Sequence, residues 1–227
     1  MIQPKAKALQ KRLHERLSRI EIKKNHGYAL SWEDWEELGR CYYYLRDERA
    51  TEYLRRAALL VVEQRVGTID PRSSSSLFEH AGDWFYAANL YRLIGDEASM
   101  RACIAKVRAL EGYPVWMEWP VNVEFYWDLL ALSALMEGDA PQALIYDAKI
   151  AALPQRENPD RPWSGRLAEA IVQTDVSAIR AIGDELHGLL TRYHGKPWDT
   201  SYLNLWDWYE FTDRVAAEVE RAAVPTE

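Results

Sequence analysis

Apolar side chains recur along most of this chain at the three- and four-residue intervals of a helix with one buried face. The spacing predicts helices near residues 4–24, 32–46, 48–65, 77–94, 97–110, 121–137, 140–152, 164–173, 176–194 and 200–222. No stretch alternates with the period of two that a half-buried strand requires. Ser31, followed by Asp34, has the spacing of a helix N-terminal capping box, and Ser76 is a candidate cap for the helix after it. Two polar breaks are longer than the rest: GTIDPRSSSS (67–76), read as a loop, and LPQRENPDRP (153–162), whose prolines forbid continued helix.

Two shorter breaks resemble each other. LYRLIGDEASMRAC (90–103) and LSALMEGDAPQALI (132–145) each interrupt good helix with Gly-Asp, at Gly95-Asp96 and Gly138-Asp139. The flanks align: Trp84, Ala87, Ala88 and Tyr91 precede the first, and Trp127, Leu130, Ala131 and Ala134 precede the second at the same intervals. This large, small, then turn order is the grammar of a tetratricopeptide hairpin. A small residue lets two backbones approach, glycine in the left-handed region ends the first helix, and aspartate caps the second. Weaker copies begin at Trp35, with Leu38, Gly39, Tyr42 and a capping Asp47, and near residue 164, with Leu167, Ala168, Ile171 and a capping Asp175. In both, the turn reads as about one residue shorter than the tetratricopeptide standard. After Asp47, Ala50, Leu54 and Ala57 are expected to face inward.

The expected fold is all-α, a degenerate tetratricopeptide-like array of about ten helices in stacked antiparallel hairpins. It is read as a single domain over 1–227, with a basic helix in 1–30, hairpins at 31–66, 77–112, 120–153 and 163–195, and a last helix at 199–222.

Charge sharpens this picture. Residues 1–30 carry eight Lys/Arg and two Glu, a net +6, whereas the rest of the chain is net −13. An acidic body argues against nucleic acid and favours a basic partner. The basic first helix reads as a solvated face. It lacks the apolar core of a secretory signal, and no apolar run reaches the length of a membrane span, so a cytoplasmic location is expected. Cys41 and Cys103 read as buried free thiols in a reducing compartment.

Chemistry is sparse. His187 and His194 share a helix face, but a zinc pair wants four-residue spacing and a third ligand. There is no glycine-rich phosphate loop, nucleophile elbow or Cys-x-x-Cys pair. Asp128, beside Trp127, is the carboxylate nearest to the apolar setting that raises a pKa. No catalytic residue, metal or cofactor is assigned, and the chain is read as a non-enzyme. Aromatics are abundant, with ten Trp and 13 Tyr, and they gather with acids in 32–38, 113–127 and 198–211. Trp35, Trp84 and Trp127 are expected to be helix wedges. Trp116 and Trp119, between Pro114 and Pro120, suit an exposed interface.

Three segments resemble the bacterial immunity protein 49 family: AGDWFYAANLYRLIGDEASMRACIAKV (81–107), FYWDLLALSALMEGDAPQALIYDAKIAAL (125–153) and LAEAIVQTDVSAIRAIGDELHGLLTRYHGKPW (167–198). The last ends in His194, Lys196 and Trp198, similar to that family's closing motif. The likeness spans roughly residues 38–198, rests on hairpin grammar and a few aromatics, and leaves out the basic first helix and the Pro/Trp segment at 113–120. It implies a cytoplasmic antidote that binds and blocks a cognate bacterial toxin of a polymorphic toxin system without catalysis. For this chain the implied partner is a basic toxin, with no nucleic acid and no membrane. Trp116 and Trp119 would fill pockets, while Glu118, Asp199, Asp207 and Glu210 would steer approach and pair with Lys or Arg. The other function consistent with the same grammar is an adaptor or chaperone that holds a peptide segment of a partner protein.

Overall fold

The computed structural model describes residues 6–66, 74–111, 120–153, 161–192 and 205–223. They form ten helices and no strand among the described residues: α1 (Ala6–Asn25), α2 (Trp32–Tyr44), α3 (Arg49–Gln64), α4 (Ser74–Leu93), α5 (Glu97–Arg108), α6 (Pro120–Met136), α7 (Ala140–Ala151), α8 (Trp163–Val172), α9 (Val176–Arg192) and α10 (Leu205–Ala223). The described residues are all-helical, and α1 with α2, α2 with α3, and each consecutive pair from α6 to α10 pack on one another.

One turn recurs at the ends of α1, α2, α4, α6 and α8. In each, the second residue after the helix has a positive φ: Gly27 (75°), Arg46 (60°), Gly95 (71°), Gly138 (78°) and Thr174 (54°). In each, the next N–H reaches back to the last turn of the helix, as Asp96 N to Tyr91 O and Asp139 N to Ala134 O, both 2.9 Å. This pair of bonds satisfies carbonyls that the helix end leaves open. The two weaker copies contain the same bonds, Asp47 N to Tyr42 O and Asp175 N to Ala170 O, also 2.9 Å. The expectation of a shorter turn there is therefore corrected. The turn length is unchanged, and the left-handed position holds Arg46 or Thr174 instead of glycine. Counted back from that position, the fourth copy begins at Trp163, in register with Trp35, Trp84 and Trp127.

The following aspartate then starts the second helix. Asp96, Asp139 and Asp175 each accept a backbone N–H three residues on, at 3.0–3.1 Å, from Ser99, Gln142 and Ala178. Asp47 accepts from Arg49 instead, because α3 begins one residue later, after Glu48. The Ser31–Asp34 capping box is present on α2. The expected cap at Ser76 is not, since α4 already begins at Ser74; four adjacent serines gave the pattern no unique register.

The described residues belong to two compact units, Met1–Asp70 with Gly82–Lys106 and Pro71–Ala81 with Val107–Glu227. In the first, α2 packs on α3 and α1 on α2. At Gly39 α2 lies close against α3: a Cβ there would sit 2.6 Å from Leu54 Cγ and 2.8 Å from the Leu54 backbone nitrogen. Ala50, Leu54 and Ala57 are buried as expected. Trp35 tilts against Tyr53, with ring centroids 5.2 Å apart. Phe85 through Leu90 of α4 are buried without interruption.

In the second unit, α7 packs on α6 and α8, α9 on α8, and α10 on α9 and α8. Leu129 through Met136 of α6 are all buried, as befits a helix that is apolar on every side. Each buried leucine there contributes roughly 1.5–3 kcal/mol of hydrophobic transfer. Trp127 stacks on Tyr146 of α7 at 6.0 Å, and Lys149 lies 4.1 Å above the Trp127 ring while pairing with Glu111 at 2.7 Å. Cys41 and Cys103 are buried free thiols, pushed up to about 12 and about 11 by burial first, which makes them poor nucleophiles.

Candidate functional site

Two groups of polar side chains in the second unit are more than ordinary solvated surface. The first lies where α6, α7 and α8 meet. Asp128 Oδ1 accepts a hydrogen bond from the hydroxyl of Ser164, which is fully buried at the start of α8. Arg161, just ahead of α8, donates to Asp147 Oδ2 at 2.8 Å, pairs with Glu169, and reaches the carbonyl of Gly165 at 3.3 Å. Asp147 and Gly165 are in contact, so that a Cβ on Gly165 would fall 2.0 Å from Asp147 Oδ1.

Burial, and then the nearby carboxylates Asp147 and Glu124, push the Asp128 carboxyl up to about 6, against the Ser164 hydrogen bond that pulls it down. The sequence offered Asp128 only as the carboxylate nearest to an apolar setting; the structure puts it against α8, where burial raises it. With its hydroxyl partner buried, it forms a polar joint between α6 and α8. Among the described residues no group of three or more His, Cys, Asp or Glu side chains is placed to hold a metal ion.

The second group lies on α9 and α10. Tyr209, half-buried, packs its ring against His187 with centroids 5.3 Å apart. Its phenol is pushed up by burial first and then by the negative field of Asp213, Asp184 and Glu210. Asp184 and Asp213 are exposed, and neither forms an ion pair with another described residue. The neighbouring acids differ: Glu185 is engaged by Arg166 in a two-pronged pair at 2.8–2.9 Å, and Glu220 by Arg180 at 2.8 Å. The pattern of α10 explains the arrangement. Asp207, Trp208, Phe211 and Thr212 are buried, which turns Asp213 outward. Thr212 meets α9 at Gly183, where a Cβ would lie 2.8 Å from its Oγ1.

Of the residues expected to contact a partner, Trp116, Glu118, Trp119 and Asp199 lie outside the described residues. Asp207 is fully buried, so its expected role as a steering charge is corrected: a carboxylate closed off from solvent projects little field to an approaching protein. Glu210 is half-exposed beside Tyr209. Asp184, Asp213, Tyr209 and His187 were missed. Asp184 and His187 share one face of α9, and Tyr209 and Asp213 one face of α10, but no single helix contains the patch. Among the described residues, no helix is long and apolar enough to cross a membrane. No family model matches the chain, and no curated protein and no solved structure is similar to it.

Proposed function

We propose that this chain is an immunity protein that binds and neutralises a basic bacterial toxin without catalysis, in the cytoplasm of the cell it protects. The observation that carries the reading is the α9–α10 patch, where the charges of Asp213, Asp184 and Glu210 act on Tyr209, whose ring packs against His187. An aromatic ring gives contact area at little entropic cost, and the exposed carboxylates of Asp184 and Asp213 beside it favour an incoming Lys or Arg over other side chains. The net charge of −13 beyond residue 30 would speed the approach of such a partner. The three segments similar to the immunity protein 49 family fall on α4–α5, α6–α7 and α8–α9, which keeps their hairpin grammar intact.

The test is co-expression with the products of neighbouring genes. A toxic neighbour should be neutralised and should co-purify in a one-to-one complex that dissociates as salt rises. If no neighbouring product is toxic, or if a toxic one is neither bound nor neutralised, the proposal fails.

A further inference from the structure

We propose that the outer face of α7 is a self-association surface, on which a second copy of this chain packs its own α7 antiparallel across a two-fold axis. The inference stands apart from the function proposed above and needs no toxin.

From Pro141 to Ala152 every exposed residue is apolar: Pro141, Ile145, Ala148, Ala151 and Ala152. Ile145 is 53% exposed. Apart from Asp147, which Arg161 engages, the side that packs on α6 and α8 is apolar as well, with Ala140, Ala143, Tyr146 and Ile150 buried. A helix that is apolar all round is ordinarily covered on both sides, and α7 is covered on one. Other helices of the same unit expose charge instead: Arg180, Asp184 and Glu185 on α9, and Asp213, Arg214 and Glu218 on α10. A chain of net charge −7 repels its own copies over an acidic surface, and the α7 face is free of that repulsion.

The face complements itself. Pro141, Ile145, Ala148 and Ala152 lie at i, i+4, i+7 and i+11, a single line along the helix. With one α7 reversed against another, Ile145 of each copy meets Ala148 of the other. A large side chain over a small one lets the backbones approach, and the same contact is made twice across the axis. Reversal also matches charge at the ends. Exposed Asp139 caps the N-terminal end of α7, and Lys149 near the C-terminal end is 38% exposed even while paired with Glu111. In antiparallel order the acidic end of each copy lies beside the basic end of the other, and the two helix dipoles run in opposite directions. A helix face about 18 Å long and about 10 Å wide falls short of the roughly 800 Å² per partner of a stable complex. The association is therefore weak, with a Kd on the order of 0.1 mM.

The experiment uses the full chain in two arms. Sedimentation equilibrium follows the weight-average mass from about 5 µM to about 500 µM. Wild type should rise from the mass of one chain to about 1.5 times that mass or more. Ile145→Glu with Ala148→Glu should hold the mass of one chain throughout and leave the thermal midpoint unchanged, because both positions are exposed. A wild-type chain that stays single at the highest concentration overturns the proposal, and so does a folded variant that associates equally. The second arm tests the register, with the native Cys41 and Cys103 buried and out of the way. A tagged Ile145→Cys chain, oxidised with an untagged Ala148→Cys chain, should form the mixed disulfide dimer about tenfold faster than with Ala217→Cys, an exposed position on α10. Equal rates overturn the antiparallel pairing. If the glutamate variant does not fold, wild-type sedimentation and the cysteine pair decide.

Discussion

Thr174 stands at the turn position that Gly138 holds in the preceding hairpin, with φ of 54° against 78° and the same hydrogen bond closing behind it. For a β-branched L-residue that conformation costs about 1–2 kcal/mol, and glycine adopts it freely at some loss of unfolded-state restriction. Thr174 is exposed and its hydroxyl bonds only to the adjacent Gln173 carbonyl, so little else is lost on replacement. Thr174→Gly should raise stability by about 1 kcal/mol in urea denaturation, and Gly138→Ala should lower it by about as much. Arg46→Gly should gain less, because the Arg46 guanidinium lies 5.9 Å over the Tyr43 ring.

A different mechanism governs Gly39. Its φ is not at issue; space is. Gly39→Ala would drive a methyl to within 2.8 Å of the Leu54 backbone nitrogen, which cannot rotate away as a side-chain end could. The loss should be about 2–3 kcal/mol, from overpacking. Thermal unfolding of Gly39→Ala alongside Gly95→Ala separates the two causes. At Gly95 a Cβ meets nothing within 4 Å, so only the backbone penalty of about 1 kcal/mol applies.

Asp128 sets a pH dependence. Its folded pKa of about 6 lies above the unfolded 3.8, so the folded state holds the proton more tightly. The stability this gives is complete below about pH 4 and is lost as pH rises through about 6. With its partial exposure the change amounts to about 2 kcal/mol. Asp47 works in the opposite direction: the Arg49 hydrogen bond holds it down to about 2, and its contribution disappears as pH falls through that value. Asp128→Asn retains an oxygen to accept the Ser164 hydroxyl while removing the charge. Wild type minus Asp128→Asn, measured by denaturant unfolding from pH 4 to 8, should show a difference that grows between about pH 4 and 6 and then stays level. A flat difference would refute the raised carboxyl.

The α9–α10 patch makes its own prediction. Asp184→Lys with Asp213→Lys reverses two exposed charges that engage no described ion pair, so thermal stability should change by less than about 0.5 kcal/mol. Association with the basic toxin that we propose as partner should slow by about tenfold or more at low salt, and the effect should shrink as salt rises. Stopped-flow association rates measure both. An unchanged rate would remove the patch from the interface.

Much of this architecture can be read without coordinates, because its signals are local. A helix is announced by apolar residues one turn apart, and its end by a left-handed residue followed by aspartate. Both depend on atoms within about two turns of chain. Gly95-Asp96 and Gly138-Asp139 therefore placed two turns directly. Arg46 and Thr174 hid the other two, since neither residue type advertises a positive φ. The expected surface role of Asp207 failed for a related reason: one residue along a helix turns a side chain by about 100°, and sequence does not say which face α9 covers.

The amino-acid sequence by itself determined the helices, the turns that end them and the acid excess, since hydrogen bonds between near neighbours and side-chain charge decide these. Only tertiary structure decided that Asp128 meets Ser164, that Asp184 and Asp213 converge on Tyr209, and that the basic first helix answers the acids of α2. Those meetings join residues many turns apart. They follow from how helix faces interdigitate, which no single helix records.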